Sequence, residues 1–430
     1  MKTILFALAA TLLAGCAEKK YYTQQLPWKD NYDESLMPPY ELPDLMTCRD
    51  GTKVTDSEIW EKKRRPELLA LFQSSMYGKL PPAPQKISSK IIRESTDALD
   101  GTAILREVMI TLQNCDKKHS FILLLYIPKN IKSAAPAFVG LNFYGNHTTS
   151  HDPYITVTGL PKDPSPDYLN ELKKKRGFRS YRFPVKEIIS RGYAVATASY
   201  HDIFPDRRDG WNESIYRLFF SAQELQKRPK GYSAISAWAW GISRITDYLC
   251  TLQEIDSGKL TVFGHSRLGK TALWAGVNDT RFKLVCVNNA GCGGTALSRR
   301  LYGETLFSMC FRGKQVGRWW FTDTLPDVAI SPEKLPIDQH QLLALVAPRT
   351  LSIHSATLDQ WADPKGEYLS AFHAGKIFAL YGKNPLLSPN MPPADTPVGD
   401  DVSYMIRTGK HDLRREDWMH YLDMADRIFK

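Results

Sequence analysis

Leu260-Thr261-Val262-Phe263-Gly264-His265-Ser266-Arg267-Leu268-Gly269-Lys270 runs from an apolar stretch, through a serine bracketed by glycines, into helical spacing. A short buried strand over Leu260–Phe263 and a helix over Leu268–Val277 leave Ser266 on a sharp turn between them. Gly264 and Gly269 remove side chains where strand and helix approach closely. A turn of this kind lifts the Ser266 hydroxyl above a sheet edge. It also sets it beside a helix N-terminus, whose backbone N–H groups can hold an oxyanion. A serine at a helix start is commonly only an N-cap. Here the strand before it and the helix after it are both present, as a nucleophile requires. The second glycine falls one residue later than in Gly-x-Ser-x-Gly.

Working outward, Ile235, Trp238, Ile242, Ile245 and Leu249 alternate spacings of three and four, the stripe of a buried helix. Strands are expected at Ile104–Leu112, Phe121–Tyr126, Ala137–Phe143 and Tyr193–Ser199 before the turn. After it they are expected at Phe282–Val287, Arg349–His354 and Val402–Ile406. Helices are expected over 55–73 and 415–428. Strands alternating with helices predict a mostly parallel sheet covered on both faces. That is the α/β class, and the serine turn between strand and helix resembles the nucleophile elbow of an α/β-hydrolase three-layer sandwich, here with loop insertions and built as one domain over residues 51–430. The polar stretch 145–190, rich in Pro and Lys, reads as an irregular insertion near the working face.

The chain has 430 residues, 43% hydrophobic and 24% charged, with a net charge of +10. Such a composition excludes a disordered or fibrous chain. The positive excess is spread along the sequence without an RNP signature, zinc finger or basic helix, so no nucleic-acid partner is expected. Met1-Lys2 precedes an apolar run from Ile4 to Ala14, which is too short for a permanent membrane span. With Leu13-Ala14-Gly15-Cys16 behind it, residues 1–16 read as a lipoprotein-type signal ending at a lipidated Cys16. Residues 17–50, with Pro27, Pro38, Pro39 and Pro43, read as a tether and N-terminal extension that then wraps onto the body. The expectation is an exported outer-membrane lipoprotein, periplasmic or cell-surface and monomeric, that meets the membrane only through its lipid. Six further cysteines permit disulfides, and their spacing selects no pairing. No Cys-x-x-Cys or His-Glu-x-x-His occurs, so neither a metal nor another cofactor is expected.

A nucleophilic serine needs a base and an orienting acid, in the chain order serine, acid, histidine for this fold. His411 follows the last predicted strand and precedes the last helix, which is where the base belongs. His354 falls inside a strand pattern, and His340, His373 and His420 fall in helical stretches; these read as structural. Asp359 leaves the strand at 349–354 and is the first choice for the acid, whereas Asp363, before Pro364, reads as a helix cap.

Gly264-His265-Ser266-Arg267-Leu268-Gly269-Lys270 and Asn288-Asn289-Ala290-Gly291-Cys292-Gly293-Gly294 together resemble the glucuronoyl esterases of carbohydrate esterase family 15. Gly140 to His147, Ala237 to Gly241, Asp338-Gln339-His340 and Asp359 to Pro364 agree with the same family. The resemblance implies hydrolysis of esters between glucuronic acid on xylan and lignin alcohols, with glucuronoxylan or a lignin–carbohydrate ester as partner. It implies Ser266 as nucleophile, His411 as base and Arg267 at the oxyanion, with Lys270, Glu304 and Trp361 on the sugar. Asn289 stands where many members carry a glutamate, which leaves Asp359 as the acid. Residues 311–329 do not match the family's aromatic segment, so the pocket rim is expected to differ. Other readings are a different carbohydrate esterase, such as an acetyl xylan esterase, or a catalytically dead glycan-binding lipoprotein.

Overall fold

In the computed structural model, residues 30–129, 131–161 and 163–430 are described. The signal segment, Cys16 and the first part of the tether lie outside them. Nine strands form one sheet: β1 (Lys86–Asp97), β2 (Ala103–Asn114), β3 (Lys117–Pro128), β4 (Ala135–Asn142), β5 (Ala194–Ser199), β6 (Ile255–His265), β7 (Phe282–Asn288), β8 (Thr350–Ala356) and β9 (Val402–Arg407). Their order is β1-β2-β3-β5-β4-β6-β7-β8-β9. β1, β2 and β3 form an antiparallel meander, and β3 joins β5 antiparallel. From β5 to β9 every pairing is parallel. The parallel strands are almost wholly buried, β5, β8 and β9 at every residue, as expected of a sheet covered on both faces.

Alternate residues of these strands feed two cores. Val139, Ala196, Val262 and Val285 face one side, where α1 (Ala234–Leu249), α2 (Arg267–Asn278) and α3 (Pro364–Leu380) pack. Phe138, Val195, Phe263 and Leu284 face the other, against the Val185–Ser190 helix and α4 (Arg415–Phe429). The result is the three-layer sandwich anticipated from the alternation of elements. Buried tryptophans anchor both layers. Trp274 of α2 stacks on Tyr77 with centroids 4.7 Å apart and donates to Ser236 Oγ at 3.0 Å. Trp418 of α4 packs edge-on to Phe263 at 4.7 Å. Truncating such a residue costs about 3–5 kcal/mol.

Two regions differ from the sequence reading. β1 was not anticipated: it is a polar edge strand whose residues are mostly exposed, so it carries no apolar alternation. The stretch 145–190 is not irregular throughout. Ser165 accepts from Tyr168 N and caps a helix over Pro166–Lys174, and Val185–Ser190 forms a second helix buried under the sheet. Residues 30–50 run along the body, where Glu34 pairs with Arg300 at 2.5 Å and with Lys365 at 3.0 Å. The six described cysteines are free thiols. Among the described residues no helix is long and apolar enough to cross a membrane.

Candidate active site

The carboxyl ends of β4 to β9 converge on one edge, and loops from all six strands meet there, the crevice in which parallel α/β sheets bind ligands. Ser266 sits where β6 turns into α2, with φ 57° and ψ −128°. A non-glycine residue costs about 1–3 kcal/mol in such a conformation, and the surroundings must enforce it. The two glycines are part of that enforcement. A Cβ on Gly264 would lie 2.0 Å from Leu268 O, and one on Gly269 would lie 3.1 Å from Asn288 O. Ser266 N also donates to Asn288 O at 2.8 Å, tying the turn to the end of β7. Ser266 Oγ makes no cap bond to its own helix, so the hydroxyl is not occupied as an N-cap. The first N–H groups of α2 have no partner within the helix, which makes this end a place for negative charge.

His411 follows β9, and its ring centroid lies 4.6 Å from that of His265, the residue before the serine. Its Nδ1 lies 2.5 Å from Asp359 Oδ2, and Asp359 is 4% exposed. The predicted acid and base are therefore brought together. Among the described residues no hydrogen bond joins Ser266 Oγ to His411, a contact that commonly tightens only around substrate. Asn289, in the alternative acid position, donates its Nδ2 to the same Asp359 oxygen at 2.8 Å. Burial, and then the neighbouring His411, hold His265 well below the usual histidine range, so it adds no charge beside the serine.

The other predicted residues gather on the opposite flank. Lys270, one turn along α2, is 3% exposed, donates to Ala290 O at 2.6 Å and lies 3.7 Å from Glu304. It is not a solvated lysine. Glu304 precedes the Thr305 cap of the Leu306–Phe311 helix. Trp361 lies on the turn after Asp359 and is half-exposed, and its carbonyl accepts from Glu304 N at 2.7 Å. Arg267 is not a free cation. It is paired with the nearly buried Asp206, from the loop after β5.

Two features escaped the sequence reading. Asp206 accepts from Trp319 Nε1 at 2.8 Å and Trp320 Nε1 at 2.6 Å. Trp320 spreads its ring beneath Arg267 at 4.6 Å and beside Lys270 at 5.9 Å. The divergent 311–329 segment thus supplies the aromatic surface against Arg267 and Lys270. Trp319-Trp320 was its one visible signal. Two of the histidines read as structural are so: His354 Nδ1 meets Asp417 at 3.0 Å and His354 Nε2 meets His420 Nδ1 at 2.7 Å. Asp363 accepts from Gly366 N and caps α3. Among the described residues no cluster could hold a metal ion.

A serine on a strained turn, a histidine–carboxylate pair and a lined cation pocket can perform acyl transfer. Comparison with known proteins agrees. Residues 184–382 match the family model described as "Glucuronyl esterase, fungi". The chain is 38% identical over 433 residues to the carbohydrate esterase MZ0003 from an unknown prokaryotic organism, covering 98% of this chain and 97% of that relative. It is 28% identical to a 4-O-methyl-glucuronoyl methylesterase of Schizophyllum commune, over 77% of this chain and 72% of that one. Among solved structures, a glucuronoyl esterase from Solibacter usitatus superposes with a TM-score of 0.85 at 38% identity, covering 92% of this chain and 100% of that chain. The chain belongs to carbohydrate esterase family 15, the glucuronoyl esterases, and is a carboxylic ester hydrolase.

Proposed function

We propose that the chain cleaves esters between glucuronic acid borne on xylan and lignin-type alcohols through an acyl-enzyme on Ser266. The observation that carries this reading is the 2.5 Å Asp359–His411 pair beside a serine held at positive φ. His411 Nε2 takes the Ser266 proton as Oγ attacks the ester carbonyl, and Asp359 holds Nδ1–H and stabilises the imidazolium. The oxyanion is met by the N–H groups opening α2 and by the Arg267 guanidinium. His411 then gives its proton to the departing alcohol. Water repeats the sequence in reverse and frees the uronic acid. Lys270 and Glu304 face the sugar hydroxyls as a charged pair, with Trp361 against the ring. A relative named as a 4-O-methyl-glucuronoyl methylesterase supports the uronic acid. The signal segment supports export with a lipid on Cys16, as an outer-membrane lipoprotein acting as a monomer. Loss of lipid labelling in Cys16→Ser tests the anchor.

The test of function is turnover of methyl and benzyl glucuronate against acetylated xylan. Hydrolysis of the glucuronate esters, with little release of acetate, is expected. Acetate release alone makes the chain an acetyl esterase. No turnover of either makes it a binding protein.

A further inference from the structure

The loop after β5 places one carboxylate, Asp206, against Arg267 and both tryptophans beside it. Asp206 has a side chain 5% exposed, and both of its oxygens are committed. Oδ1 accepts from both indoles, at 2.8 and 2.6 Å. Oδ2 accepts from Tyr200 OH at 3.0 Å and from the Arg267 guanidinium. Its backbone N–H donates to His201 Nδ1 at 3.2 Å, so the main chain beside it is fixed as well. Arg267 is thereby held between the rings of Trp320, at 4.6 Å, and Phe143, at 5.7 Å. Its Nε–H is buried and has no acceptor among the described residues. The second cation, Lys270, is answered in the same way by Glu304 at 3.7 Å. The pocket therefore carries two cations and two carboxylates. Burial opposes ionisation of Asp206, but Arg267 holds its carboxyl below the usual range. The pair stays charged at neutral pH.

The charge of the ligand changes during the reaction. A glucuronate ester is neutral at its carboxyl. Water cleaves the acyl C–O bond to give an alcohol and an acid, and the acid loses its proton to solvent to become an anion. An arginine with no counter-ion in a half-buried pocket would bind that anion far more strongly than the ester. We infer that Asp206 is a positioning residue that aims Arg267 and offsets its charge, so that the pocket takes a neutral ester and lets go of its anionic product. This inference rests on the proposed glucuronate substrate.

Asp206→Asn keeps the shape and an acceptor oxygen for the indoles, and it removes the charge together with the oxygen that accepts from Arg267 and Tyr200. It should lower kcat and tighten inhibition by free glucuronate at least tenfold, an effect that fades as salt rises. Loss of mere structural support would instead weaken ester and product together. In Asp206→Asn/Arg267→Ala the tightening should vanish, because the cation responsible is gone. The native enzyme gives a check that needs no variant. It should bind glucuronate no more tightly than neutral glucuronamide. Glucuronate inhibition unchanged or weakened in Asp206→Asn, or a tenfold glucuronate preference in the native enzyme, overturns the inference. Failure of the native enzyme to hydrolyse methyl glucuronate would instead overturn the proposed function.

Discussion

The two flanks of Ser266 are held by different means. On the histidine side, the loop 408–412 is folded around the Arg407 guanidinium. That group donates to Thr408 O at 3.0 Å and to Lys410 O and Asp412 O at 2.9 Å. Its Nε meets Asp417 Oδ2 at 3.1 Å, and fully buried Asp417 also takes Arg414 N at 2.8 Å and His354 Nδ1 at 3.0 Å. The loop that carries His411 is thus positioned through its main chain, while Asp359 orients the ring. On the arginine side, Arg267 and Lys270 are positioned by other side chains: Asp206, Trp320, Phe143 and Glu304. A base on a loop fixed through carbonyl oxygens depends on that clamp and on the one carboxylate that orients its ring. A cation fixed by side chains can be retuned one substitution at a time. Proton transfer needs a fixed geometry, while recognition of one sugar ester or another can drift.

The largest expected effect falls on the histidine flank. Asp359→Asn keeps the side-chain outline but presents a neutral amide to Nδ1, and it places that amide against the Asn289 donor. A loss of about 10⁴-fold in kcat is expected, with KM nearly unchanged. A near-native kcat would mean that another carboxylate orients His411. Next, Arg407→Gln removes the clamp without touching the triad. A displaced base costs about 10²-fold in kcat. Breaking the buried pair with Asp417 should also lower unfolding free energy by about 3–5 kcal/mol in urea titration. Native stability and activity together in Arg407→Gln would erase the contrast between the flanks. The smallest effect belongs to the arginine flank. Trp320→Phe keeps a ring under Arg267 and deletes one N–H to Asp206. Catalytic efficiency should fall by up to about tenfold, and a triad-sized loss would show that this flank is as rigid as the other.

The same contrast explains what could be read in advance. Ser266, Asp359 and His411 each stand just after a strand, and strands announce themselves by apolar runs of fixed length. Once β6, β8 and β9 are placed, chain order selects the residues. Lys270 was marked only through the family resemblance of the 264–270 stretch. Asp206 has no such marker. It reaches Arg267 across 61 residues and the two tryptophans across 113 and 114, from one irregular loop to another. Loop-to-loop pairing has no period to read. Asn289 was legible as a departure from a pattern, but its bond to Asp359 was not, because left-handed backbone at φ 47° aims that side chain. β1 was lost for a different reason: its Ile87, Ile91 and Ile92 stand among exposed polar residues without an alternation that could be read.

In the proposed mechanism Ser266 is activated by His411 and Asp359 and carries the acyl group. A fluorophosphonate reagent tests this directly. An activated serine displaces fluoride, breaking P–F and forming an Oγ–P bond. Peptide mapping after partial reaction should find one phosphonyl group per chain, on Ser266. Hydrolysis of benzyl glucuronate should fall in proportion to the labelling, and saturating glucuronate should slow both. Full labelling of Ser266 with activity retained, or inactivation with the label on another residue, would contradict the account.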